Sequence, residues 1–194
     1  FESCGQQWML LSEPRYAVAL VNQSSYGHDV SPAGGDEHTP TLGVMARLTL
    51  LRSPQSPDPH ADQGRHHLSY SLLTDAEVGS AHVEAARLNQ PLQLRGGTVE
   101  LPSTARIEPV HGTAVIDAVK QAFDGSGDLV IRIHEAAGAR STVRLLLDQD
   151  GCMSEVDLLE EPVSDPTQQL PASTCHGVEL TLRPFQIVTL RVSQ

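Results

Sequence analysis

The stretch Leu42-Gly43-Val44-Met45-Ala46-Arg47-Leu48-Thr49-Leu50-Leu51 alternates at period two. Leu42, Val44, Ala46, Leu48 and Leu50 fall on one face of an extended chain, and Met45, Arg47, Thr49 and Leu51 on the other. The same period returns at Leu68, Tyr70 and Leu72; at Leu129, Ile131 and Ile133; at Val143, Leu145 and Leu147; at Val178, Leu180 and Leu182; and at Val188, Leu190 and Val192. Asp124-Gly125-Ser126-Gly127 and Asp150-Gly151 supply residues that accept the positive φ of tight reversals, which implies antiparallel pairing. Many short strands with little helix between them predict an all-β fold, an antiparallel β-sandwich rather than a βαβ sheet.

One segment breaks the pattern. Thr74 and Glu77 have capping-box spacing, and Val78, Ala81, Ala85 and Leu88 follow at helical intervals, which predicts one short helix. Pro91 and Arg95-Gly96-Gly97 read as a hinge, dividing the chain into a front half, 1–97, and a back half, 98–194. Residues 31–40 and 165–174 read as exposed loops.

Composition narrows the function. With 39% hydrophobic and 19% charged residues, the chain lies in the globular range. Its net charge of −11 repels phosphate backbones and anionic lipid, which argues against nucleic acid and membrane as partners. No apolar run approaches the roughly 18 residues of a membrane span. The chain opens at Phe1 without an initiating Met or a basic-then-apolar leader, and is read as a cut-down product. Cys4, Cys152 and Cys175 are far apart and lack CxxC spacing, which fits small buried or incidental thiols in a reduced, cytoplasmic setting.

The candidate chemistry centres on residues 52–67, a loop that Pro54, Pro57 and Pro59 stiffen as it leaves a strand. Its His60, Asp62, His66 and His67 are metal-ligand types, but their spacing matches no zinc pattern, and solvated loop residues are the better reading. If a strand has begun there, His66 and His67 diverge. Glu160 and Glu161 are adjacent and diverge on an extended segment, so they read as solvated residues rather than a catalytic pair. Trp8, Tyr16, Tyr26 and Tyr70 are able to stack on a sugar ring, but read first as core and strand packers. No GxSxG elbow, HExxH, P-loop or GxGxxG after a strand is present.

Several segments together resemble the C-terminal region of glycoside hydrolase family 38, the α-mannosidases, in the branch shared by bacterial and cytosolic members. They include Leu11-Ser12-Glu13-Pro14, Tyr26-Gly27-His28-Asp29-Val30, Leu50-Leu51-Arg52-Ser53-Pro54, and the set Pro57, Asp58, Ala61, Asp62, Gly64 and His66. Farther on, Val130-Ile131-Arg132, Glu135, Val156-Asp157-Leu158-Leu159-Glu160-Glu161-Pro162 and Arg183-Pro184-Phe185-Gln186 continue the likeness.

The resemblance implies the tail of a mutarotase-like β-domain followed by a smaller terminal β-sandwich. It also implies a parent enzyme that hydrolyses α-mannosidic bonds with retention, using an aspartate nucleophile and one divalent metal, usually zinc. Both belong to an N-terminal catalytic domain outside this chain, so the chain itself is expected to carry no catalytic residue, cofactor or metal. Its expected partners are that catalytic domain and a mannose-containing glycan. Arg52, Asp58 and Asp62 are then the substrate-side candidates, as pocket wall or domain interface, with an interdomain ion pair an equal reading for Arg52. The alternatives are a stand-alone carbohydrate-binding module and, last, a scaffold sandwich. An incomplete front half would also leave an apolar face or a strand edge free to self-associate into a homo-oligomer.

Overall fold

Strand-forming alternation gives thirteen strands and one helix among the described residues. The computed structural model describes residues 2–34, 43–92, 96, 105–148, 151–168, 170 and 177–193. Two compact units divide the chain, Phe1–Leu94 and Arg95–Gln194. Of the expected hinge, Arg95 and Gly97 lie outside the described residues, as do Leu42, Asp150 and Cys175.

The first unit holds β1 (Glu2–Cys4), β2 (Trp8–Glu13), β3 (Tyr16–Asn22), β4 (Gly27–Ala33), β5 (Gly43–Thr49), β6 (Tyr70–Thr74) and the helix α1 (Val78–Asn89). They form two antiparallel three-stranded sheets, ordered β1-β4-β5 and β2-β3-β6. The pairings Leu10↔Ala19↔Leu73 and Trp8↔Val21↔Ser71 build rows across the second sheet. Leu10, Ala19 and Leu73 pack with Ala76 and with Ala81 of α1. Trp8 meets His82 edge-on at 5.1 Å, and Ser71 Oγ donates to Glu84 at 2.8 Å. Small residues at Ala19 and Ala81, both fully buried, let helix and sheet approach closely.

Several expectations change in this unit. Tyr70 and Leu72 are 60% and 66% exposed, because the register turns Ser71 and Leu73 toward the helix. Thr74 does not cap the helix, since it pairs with Val18 in the sheet. Glu77 takes the N-cap position instead, and its N–H donates to Ser80 Oγ at 2.8 Å. Ser31, Pro32 and Ala33 are strand rather than loop, because β5 offers them partners at Met45, Val44 and Gly43. Tyr16 and Tyr26 are about half exposed, so only Trp8 of the four aromatics packs as expected.

The second unit holds β7 (Ala105–His111), β8 (Ala114–Gln121), β9 (Leu129–Glu135), β10 (Ser141–Leu147), β11 (Cys152–Val156), β12 (Gly177–Leu182) and β13 (Ile187–Ser193). Sheets β12-β10-β7 and β11-β13-β9-β8 pack face to face as an antiparallel sandwich. Its core is the set read from alternation except Leu129, which is half-buried against it: Ile131, Ile133, Val143, Leu145, Leu147, Val178, Leu180, Leu182, Val188, Leu190 and Val192 are all buried, with Met153. Gly125 and Gly127 close the β8–β9 hairpin at φ of 77° and 91°. Gly151 plays another part. It links β10 to β11, which lie in different sheets, and a Cβ there would meet Val192 Cγ1 at 2.6 Å. No helix among the described residues is long and apolar enough to cross a membrane.

Glu135 ends β9 with no exposed surface. Its carboxylate accepts N–H groups of Ala137 at 2.9 Å, Gly138 at 2.8 Å and Phe185 at 2.9 Å, and the Ser141 hydroxyl at 3.1 Å. Burial pushes its pKa up, but backbone N–H groups of Phe185, Ala137, Ala139 and Gly138 outweigh that and hold it below the usual carboxylate range. The stability it contributes is therefore present above the ordinary carboxylate range and is lost as pH falls through the lowered value. Glu135→Ala, which orphans these donors, is expected to cost about 3 kcal/mol or more in urea unfolding. Glu135→Gln is expected to flatten the loss of stability on acidification; a variant with the wild-type acid slope would refute the assignment.

Candidate functional site

The first unit carries a concave site of about 790 Å³, between β1, the start of β4, and the chain that leaves β5. Its lining takes Glu2 and Cys4 from β1, Tyr26 from the chain that enters β4, and Arg52, Asp62 and His66 from the chain that follows β5. Ser3, Ser24, Ser25 and Thr49 add hydroxyls. Leu50, Leu51, Pro54 and Leu68 complete the lining, and this mixture of apolar surface, hydroxyls, one tyrosine ring and charges of both signs suits a neutral ligand with apolar and polar faces better than a highly charged one.

The Arg52 wall is fixed by its own backbone. Ser53 and Asp62 both take left-handed conformations, at φ of 44° and 58°, and the Ser53 N–H donates to Asp62 Oδ2 at 2.9 Å. This bond closes the loop at its base. His66 Nε2 lies 2.9 Å from the Asp62 carbonyl, tying the exit of the loop to the same residue. Within the loop, the His60 N–H donates to Asp58 Oδ1 at 2.8 Å, the Ala61 N–H to the Asp58 carbonyl at 3.2 Å, and the Gln63 N–H to the His60 carbonyl at 3.2 Å. Ser56-Pro57 is a cis peptide. Arg52 is exposed and has no side-chain hydrogen bond or ion pair among the described residues.

The structure thus brings Arg52 and Asp62 to one concavity and sets Asp58 apart from its lining. Asp58 shapes the turn that carries the other two. His60 and His67 are also outside the lining, and β6 begins only at Tyr70, so His66 and His67 are not on a strand. Among the described residues, no three His, Cys, Asp or Glu side chains gather as a metal site. Glu160 is not a free carboxylate: it takes the Phe123 N–H at 2.7 Å and pairs with Lys120, which holds its pKa below the ordinary value. Glu2, Ser24, Ser25 and Thr49 carry no local signal as wall residues, because only the pairing of β1 with β4 and of β4 with β5 brings their segments together.

Next to the concavity, Arg47 and Asp29 pair across β5 and β4, and the hydrogen bond from Arg47 lowers the Asp29 pKa. Asp62→Ala removes the acceptor at the loop base. It is expected to raise amide exchange at Ser53 about tenfold, with Asp58→Ala acting at His60 instead; equal protection of Ser53 in wild type and Asp62→Ala would refute the closure.

The profile of the glycosyl hydrolases family 38 C-terminal domain matches residues 1–60, and that of the family 38 C-terminal beta sandwich domain matches residues 113–190. Alpha-mannosidase 2C1 of Homo sapiens is 33% identical over 203 residues, an alignment that covers 98% of this chain and 18% of the relative. Alpha-mannosidase G of Dictyostelium discoideum is also 33% identical over 203 residues, covering 98% of this chain and 17% of the relative. Alpha-mannosidase of Saccharomyces cerevisiae is 25% identical over 217 residues, covering 99% and 19%. The chain thus spans less than a fifth of the length of these curated relatives. Matched end to end by relatives of one kind, and by both C-terminal profiles in order, this chain belongs to glycoside hydrolase family 38, as its C-terminal β-sheet region.

Proposed function

We propose that this chain is the non-catalytic C-terminal part of a retaining, metal-dependent α-mannosidase. In this reading the first unit continues a larger mutarotase-like β-domain and the second is the terminal sandwich. The aspartate nucleophile and the divalent metal, zinc by family likeness, belong to the part of the polypeptide outside this chain. Free thiols at Cys4 and Cys152 fit a reducing, cytoplasmic setting.

The observation that carries the reading is Arg52, an exposed and unpaired guanidinium in a concavity lined by both hydroxyls and leucines, on a loop closed at its base by Asp62. Such a group meets sugar hydroxyls with several donors in a fixed plane while its carrier loop stays put. Arg52 and Asp62 wall the mannoside pocket from this side, and the catalytic domain supplies the reacting groups. Asp58 serves by shaping the loop.

The full-length polypeptide is expected to hydrolyse aryl α-mannosides, and Arg52→Ala to lower kcat/KM about tenfold or more. This chain alone, with added zinc, is expected to turn over none. Turnover by the isolated chain, or an unchanged kcat/KM in Arg52→Ala, would sink the reading. Tyr26 in the lining favours a second reading, a stand-alone carbohydrate-binding module. Calorimetric binding of mannosides by this chain, lost in Tyr26→Ala, would support it, and flat titrations at millimolar sugar would remove it.

A further inference from the structure

In the second unit, two turns are locked together by their own carboxylates and point large apolar side chains outward. Residues 157–161 form a closed loop after β11: the Asp157 N–H donates to the Glu161 carbonyl at 2.8 Å, and Asp157 Oδ1 accepts the N–H groups of Leu159 at 2.8 Å and Glu161 at 3.0 Å. Glu160, at φ of 70°, reaches the β8–β9 turn, taking the Phe123 N–H at 2.7 Å and pairing with Lys120. Arg132 Nη2 of β9 donates to the Leu158 carbonyl at 3.3 Å. The β8–β9 turn is pinned in its turn, because Arg191 donates to Asp124 and to Asp128, each at 2.7 Å.

Much of this polar bonding fixes backbone, and at the tip it leaves large apolar side chains facing solvent. Leu158 is 62% exposed, Leu159 81% and Phe123 92%. Ordinary turns place polar residues at such tips. A rigid apolar cluster within a frame of satisfied polar groups is instead the anatomy of a binding hot spot, with little ordering entropy left to lose on association.

We propose that Phe123, Leu158 and Leu159 dock the second unit onto the part of the polypeptide outside this chain, in an apolar depression with a basic rim. Two observations select that occupant. The curated relatives are more than five times longer than this chain, since an alignment with 98% of it covers only 18% of the human relative. The tip is also acidic at its margin, with Asp157 and Glu161 in the turn itself and both exposed, so a basic rim complements it. The proposal rests on the part of our functional reading that makes this chain one end of a longer mannosidase.

Hydroxyl-radical footprinting of the full-length polypeptide tests it. Oxidation of Phe123, Leu158 and Leu159 is expected to be about fivefold or more slower than in the same polypeptide unfolded in urea, at every protein concentration. The double variant Leu158→Asp, Leu159→Asp is expected to restore rapid oxidation of Phe123. Oxidation of the wild-type tip close to the unfolded rate would overturn the proposal, and protection that fades on dilution would overturn it in favour of a second copy. An exposed tip in an active mannosidase defeats the docking surface alone. A protected tip in a polypeptide without mannosidase activity upholds the docking surface and defeats the functional reading.

Discussion

A carboxylate with no exposed surface holds the second unit's ends in register. Glu135 gathers donors from the turn after β9, from Ser141 at the start of β10, and from Phe185 between β12 and β13. These belong to both sheets, so one side chain fastens the edges of two layers that the apolar core only presses together. Burial without those donors would make the charge untenable. With them, the charge fixes geometry that hydrophobic contact leaves loose, because hydrogen bonds have direction and apolar contacts do not. The neighbouring glycines follow from it. Gly138 donates to Glu135 at φ of 72°, and a Cβ at that position would meet the Phe185 ring at 2.6 Å. A Cβ on Gly112, at φ of 81°, would sit 2.1 Å from the Ser141 Oγ that reaches Glu135.

The first unit is built on another balance. Its buried cluster consists of three alanines, joined by partly buried Trp8, Leu10 and Leu73, where the second unit buries a full layer of branched aliphatics. At about 25 cal/mol per Å² of apolar surface removed from water, alanines contribute little beyond close approach. The opposite face of the β2-β3-β6 sheet carries Met9, Leu11, Val18, Leu20 and Leu72, none of them fully buried. A sheet with apolar residues on both faces and a helix on only one is poorly suited to stand alone. That agrees with a chain spanning less than a fifth of its relatives' length.

The same difference explains what could be read in advance. In the second unit alternation sufficed, since each strand has one face on a shared interior and the period of the sequence is the period of burial. In the first unit it misled at Tyr70 and Leu72, because a sheet apolar on both faces gives no local sign of which face a helix will cover. Thr74 had the right spacing for a cap but was already committed to Val18, a partner far away in sequence. Gly151 departs from the expected positive φ: what its position requires is the absence of a side chain against Val192 and the Ser193 carbonyl. For the site, prolines and the family likeness marked residues 52–62, and Arg52 and Asp62 do meet at one concavity. Asp58 was indistinguishable from them, since a carboxylate that builds a turn and one that lines a wall have the same composition and differ only in what lies opposite.

The two surfaces that we propose share a mode of construction. The loop bearing Arg52 is closed by Asp62 onto the Ser53 N–H, and the tip bearing Leu158 and Leu159 is closed by Asp157 and Glu160 onto backbone N–H groups. In each case short acidic side chains are used up on the local main chain, and the residue that remains outward is of a different kind, cationic in one and aliphatic in the other. A loop held only by apolar burial would have to turn those residues inward to be stable. Holding it by carboxylates inverts the requirement: order comes from polar bonds at the surface, and the distinctive side chain stays available. This accounts for part of the excess of acidic residues, 24 against 13 basic, in a chain that we read as recognising a neutral sugar. Part of that negative charge is scaffold, spent on N–H groups, and says little about the charge of the ligand.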